Sequence, residues 1–159
     1  MSDTKTRSPN TTTGATNGTG FVKIAGWIVA VIGAVMLVAG GGTWLLVQNQ
    51  LSAENITVTQ DARWFAGDQV NGPFTAYSQA DIINTHALEG SGGKTYAELD
   101  KDDPARASVM NGSFLRASLF TSVLAFGVSF MAMGLGLVQM LLGFSMTRVA
   151  GLLSHPTRA

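Results

Sequence analysis

Two stretches without a charged residue, Ile24 to Val47 and Ala117 to Thr147, constrain this chain more than any other feature. A helix needs roughly 20 apolar residues to cross about 30 Å of hydrocarbon, and both stretches reach that length. Between them lies a polar segment, Gln48 to Arg116, that carries nine of the ten acidic residues. The charged fraction of 13% departs from the roughly 25% of soluble domains in the direction of a membrane protein. The predicted fold is therefore an all-α membrane protein: a two-helix transmembrane hairpin with a mainly helical extracytoplasmic segment and at most one short strand. The expected divisions are a disordered cytoplasmic tail at 1–22, transmembrane helix 1 at 23–48, an extracytoplasmic helical segment at 49–113, transmembrane helix 2 at 114–147, and a cytoplasmic tail at 148–159.

A formal net charge of zero hides a segregation that sets orientation. Lys5, Arg7 and Lys23 stand against Asp3 before the first run, and Arg148 and Arg158 follow the second. Lys and Arg in short segments close to the spans favour the cytoplasmic side, so both termini are expected inside, with the loop outside, at the plasma membrane. Arg116 alone opposes this, because it abuts the second span on its expected outer face. The first run exceeds the short apolar core of a secretory signal, which predicts an uncleaved signal anchor. With no cysteine in the chain, disulfide staples and thiolate chemistry are excluded.

Within the spans, small residues recur at helical spacing. Gly26, Ala30 and Ala34 fall four apart, as do Ala125 with Ser129 and Ala132 with Gly136; each set shares a face where another backbone can approach closely. Trp27 and Trp44 sit near opposite ends of the first run, where indoles favour the water–hydrocarbon boundary. The second run of 31 residues would be about 46 Å long, more than the hydrocarbon needs, and its Ser118, Thr121 and Ser122 end is expected to emerge. Outside, Asn55-Ile-Thr-Val-Thr alternates like one strand. Pro73 opens a helix over Phe74 to Leu88 whose stripe of Ala76, Ala80, Ile83 and Ala87 faces inward, and Gly90 supplies a left-handed stop. Thr95 and Glu98 form a capping box, and Asp103-Pro104 starts a helix that runs into the second span, with Asn111-Gly112 as its weakest point.

Chemistry is sparse. His86 and His155 are expected on opposite sides of the bilayer, and His86 with Glu89 gives two ligands where a catalytic metal site presents at least three. Gly90-Ser-Gly-Gly-Lys-Thr lacks the first glycine of a phosphate loop, and Asp100, Asp102 and Asp103 lack the spacing of a calcium loop. The spans hold no ionisable group for proton or ion coupling, and Gln139 is expected to hydrogen-bond between helices. Catalytic residues, metal ligands and cofactors are all expected to be absent. Trp64, Phe65 and Tyr77 are the expected contacts for a ligand or partner.

The residues Glu54-Asn-Ile-Thr-Val, Gly72-Pro-Phe-Thr-Ala-Tyr, Gln79-Ala-Asp, His86-Ala-Leu, Lys94-Thr-Tyr-Ala-Glu-Leu, Asp103-Pro and Ser113-Phe-Leu-Arg-Ala-Ser-Leu-Phe-Thr-Ser-Val carry a resemblance. The segment from Ala53 to Gly136 resembles a family of small actinobacterial two-span membrane proteins, often labelled aromatic ring-opening dioxygenases. The resemblance implies a plasma-membrane protein without an assigned biochemical role. The dioxygenase label conflicts with the residues, since a non-haem iron site needs two histidines and a carboxylate on one metal. Taken together, the chain is expected to be a noncatalytic accessory or scaffold subunit of a membrane assembly, a respiratory one among the candidates, or a homo-oligomer. Its partners would be the lipid bilayer and itself or another membrane subunit, with no nucleic acid. The alternative is an envelope sensor or ligand-binding module that uses the extracytoplasmic segment.

Overall fold

The computed structural model describes residues 13–154, and of residues 13–17 the backbone alone. Three helices account for most of it: α1 (Thr13–Ala53), α2 (Pro73–Gly90) and α3 (Ala105–Leu153). Two of them, α1 and α3, are long and apolar enough to cross a membrane. The disordered tail expected at 1–22 needs correction, because α1 already begins at Thr13; residues 1–12 lie outside the described residues. Gly40, Gly41 and Gly42 do not break α1. The helix also continues past the expected boundary at 48, so the nonhelical stretch between α1 and α2 starts only after Ala53.

The chain divides into two compact units, one built from residues up to Leu37 and from Gly134 on, the other from Val38–Met133. In the first unit α1 and α3 run antiparallel and meet through glycine. A Cβ built on Gly33 would lie 2.5 Å from the Gly136 carbonyl oxygen, and one on Gly136 would lie 2.6 Å from the Gly33 carbonyl. Gly26 and Gly143 oppose each other in the same way, with Ala30 against Gly143. Backbone approaches backbone because neither side has a side chain to hold them apart. Trp27 closes one end edge-on to Phe144 at 6.2 Å between ring centroids.

The second unit repeats this contact and adds a core. Gly40 faces the Ser129 carbonyl and Met133, and Trp44 packs edge-on against fully buried Phe126 at 4.7 Å. Leu51, Val58, Val70, Ala76, Ala80 and Leu119 complete a cluster drawn from all three helices and the loop between α1 and α2. On α1 the inward positions are 26, 30, 33, 37, 40, 44, 47 and 51, alternating four and three residues apart.

The loop after α1 carries a second correction. In place of the expected strand at 55–59, a single antiparallel bridge joins Thr57 and Gln69, flanked by hydrogen bonds from Val58 N to Asp68 O and from Val70 N to Ile56 O. Pairing cannot extend, because Asn55 turns at φ 53 on one side and Phe65 and Gly67 turn at φ 59 and φ 82 on the other. The α2 helix matches its expected course from Pro73, but the left-handed stop is Gly92 and Gly93, at φ 64 and 83, and not Gly90. Its buried face differs in detail as well. Ala76, Gln79, Ala80 and Ile82 are buried, while Ile83 and Ala87 are half-buried.

Thr95 and Glu98 form one turn and no helix. The Glu98 carboxylate accepts from the Thr95 amide at 2.8 Å and hydroxyl at 2.7 Å, and these bonds hold its carboxyl below the usual range, the amide first. Propagation stops because Arg106 takes the Leu99 carbonyl at 2.6 Å while stacking on Tyr96. Asp103 then caps α3 through the Ala105 amide at 2.8 Å. From there α3 continues unbroken through Asn111 and Gly112. A side chain at Gly112 would meet Ala87 at 3.3 Å, so glycine lets α2 and α3 pack closely there.

Candidate functional site

The Val38–Met133 unit encloses a cleft of ≈ 410 Å³ where the last turns of α1, the middle of α2 and the first third of α3 converge. One wall is apolar, formed by Val47, Leu51, Ile56, Ile83, Leu115 and Leu119. Gln50, Glu54, Gln79, Ser118 and Ser122 supply the polar remainder. A concave, largely apolar site with a few placed polar groups is the usual form of a small-molecule site, and the volume lies in the common range of about 300–1,000 Å³. A depression of ≈ 420 Å³ beside Trp44, Phe130 and Met133 is lined only by glycine and apolar side chains and so offers no polar discrimination.

Gln79 gives the cleft its chemical character. It is 7% exposed, and its Oε1 accepts a hydrogen bond from the Thr59 backbone amide at 3.1 Å. An N–H donor requires oxygen at that end of the carboxamide, which fixes the orientation of the side chain and turns the NH2 the other way. Nε2 donates no hydrogen bond among the described residues and remains reachable from the cleft, so both of its donors are open to an acceptor. Across the cleft, Ser122 satisfies its hydroxyl on the Ser118 carbonyl of its own helix at 3.3 Å. Glu54 is the one charged residue in the lining, with no Lys or Arg beside it.

Other polar groups of this unit bind to one another. His86 and Asp61 form an exposed pair at 2.6 Å that ties the α1–α2 loop to α2, and the hydrogen bond from His86 holds the Asp61 carboxyl below its ordinary value. Arg116 donates to the Asn84 side chain at 3.0 Å and lies over the Phe120 ring, so it belongs to the contacts between α2 and α3. Among the described residues no group of three or more His, Asp or Glu converges as a metal site. His155 lies outside the described residues.

The residues singled out from sequence fall into three groups. Gly26, Ala30, Ser129 and Gly136 are buried on the faces where α1 and α3 meet, whereas Ala34, Ala125 and Ala132 are half-buried to the side. Gly33, Gly40 and Gly143, which the four-residue spacing did not pick out, make equally close approaches. Trp64, Phe65 and Tyr77 do not line the cleft. Arg63 covers Trp64, Ser78 donates to the Trp64 carbonyl at 2.6 Å, and Tyr77 packs edge-on against Phe120. Gln139 also departs from expectation. Among the described residues its Oε1 is buried without a partner.

The cleft residues went unread for a definable reason. Gln79 interrupts the inward stripe between Ala76 and Ile83, and a carboxamide on a buried face is the one local signal that marked it. The chain matches no protein-family model, no curated protein and no solved structure.

Proposed function

We propose that this chain is a noncatalytic integral membrane protein, a hairpin of two transmembrane helices at the plasma membrane, acting as an accessory or scaffold subunit of a membrane assembly. The observation that carries the reading is the fate of its apolar surface. In each long helix only 17% of the most apolar window is buried, and residues such as Val31, Val38, Leu141 and Leu142 stand half or more exposed. Water would penalise that surface at about 25 cal/mol per Å², whereas lipid tails accept it. The hydroxyls of Thr121, Ser129 and Ser145 bond to carbonyls one turn back, an arrangement suited to a helix without water around it.

The Lys and Arg distribution favours both termini in the cytoplasm, with the α2 segment outside. The bonding of Arg116 to Asn84 supports its assignment to that outer segment, where it still stands against the charge rule. For partners, α3 retains Gly127 and Gly134, seven residues apart, with nothing within 4 Å of a built Cβ. They leave room for a second copy or another subunit. Purification in mild detergent, with measurement of mass and crosslinked partners, tests the scaffold reading; a strictly monomeric species without partners would overturn it. The cleft at Gln79 favours a second reading, a ligand-binding or sensor module whose outer segment holds a small molecule.

A further inference from the structure

We propose that the Gln79 cleft binds an uncharged amphiphile whose head carries hydroxyl and ester oxygens, the chemistry of a monoacylglycerol. The proposal rests on the ligand-binding reading of the membrane protein given above. Three observations select this class. First, Gln79 is more than nine-tenths buried, its orientation is fixed by the Thr59 amide, and its two N–H groups line the cleft unpartnered. The NH2, the end of the carboxamide not taken by Thr59, offers two donors that match an acceptor such as an ester carbonyl. Second, the charged lining is Glu54 alone. A phosphate or carboxylate head would face that carboxylate with no cation to offset it, and an ammonium head would leave the Gln79 donors empty. A hydroxyl donates to Glu54 while its neighbouring ester accepts from Gln79. Third, the opposite wall is aliphatic, with Leu51, Leu115 and Leu119 suited to an acyl chain.

The test uses the full chain in phosphatidylcholine nanodiscs containing a few per cent of a monoacylglycerol with a photoactivatable tail. Same-tail fatty acid and alkylamine serve as the charged comparators, and crosslinked peptides are read by mass spectrometry. The expected result is label concentrated on residues 47–54 and 115–122 over the exposed apolar faces of α1 and α3, with the monoacylglycerol labelling more than either charged probe. Gln79→Glu keeps an oxygen for the Thr59 amide but removes both donors, and should lower cleft labelling about tenfold, the equivalent of about 1.4 kcal/mol. Ser118→Leu, at an exposed position, should block the cleft without touching the core. Even labelling along both helices, equal labelling by the fatty acid, or labelling unchanged in both variants would overturn the proposal. Failure of the chain to enter nanodiscs would overturn the membrane reading itself; entry without cleft label overturns the ligand alone.

Discussion

Replacing Gly33 by alanine would place a methyl carbon 2.5 Å from the Gly136 carbonyl oxygen and 2.8 Å from the Met140 amide nitrogen. Both obstacles are backbone atoms, which cannot swing aside as a side chain does. Since carbon and carbonyl oxygen rest at about 3.3–3.6 Å, α1 and α3 must part locally by roughly 1 Å. Overpacking of this kind costs about 1–3 kcal/mol, and the opened gap forfeits a quarter to a half of the dispersion energy of the affected contacts. Gly134→Ala is the matched control, because nothing lies within 4 Å of its built Cβ and alanine is the better helix former. Both variants can be unfolded by graded addition of SDS to mixed micelles and followed by helical circular dichroism. Gly33→Ala should lower stability by about 1–3 kcal/mol, and Gly134→Ala should leave it unchanged or slightly raised. The double variant Gly33→Ala with Gly136→Ala should cost less than the sum, since one separation accommodates both methyls. Equal effects of Gly33→Ala and Gly134→Ala would refute the backbone-contact argument.

Other positions test the Val38–Met133 unit. Phe126→Ala removes a fully buried ring that packs on Trp44, and should cost about 3–5 kcal/mol in the same unfolding assay. Phe65→Gly should relieve a left-handed backbone at φ 59 and stabilise the α1–α2 loop by about 1–2 kcal/mol, read by hydrogen exchange. Asp61 has a depressed folded value, so its contribution is present above its ordinary value of 3.8 and is lost as pH falls through the folded value. His86→Ala should return Asp61 toward 3.8, measurable by carboxyl chemical shift. Arg106→Ala removes the bond to Leu99 and the stack on Tyr96, and should speed amide exchange across residues 91–104 before the rest of the unit.

How much of this was legible in the sequence depended on the range of the interaction. Charge-free length announces α1 and α3, and Pro73 fixes the start of α2, because both signals are local. The contact faces of the long helices were only half legible. A four-residue step advances about 40° beyond a full turn, so 26, 30, 34 drifts around the helix, while 26, 33, 40 stays within about 20° per heptad. That geometry explains why Ala34 lies to the side and Gly33 faces the partner backbone. The capping box at Thr95 had the right bonds but no room to become a helix before Pro104, with Arg106 occupying the Leu99 carbonyl. The cleft was illegible as a motif, since its polar residues come from three helices and the start of the α1–α2 loop and converge only once the chain is packed. The exposed aromatics Trp64 and Tyr77 drew attention by residue type, yet they serve contacts with Arg63 and Phe120.

In the proposed topology α1 and α3 both cross the bilayer, with α2 outside and both termini inside. Because the chain has no cysteine, single variants report without background. Lys101→Cys in the outer segment and Ser154→Cys beyond α3 should be compared in intact cells with a maleimide that cannot cross the membrane. Lys101→Cys should react at once, and Ser154→Cys only after the membrane is permeabilised. Labelling of both from the same side, or recovery of the chain in the soluble fraction, would contradict that topology.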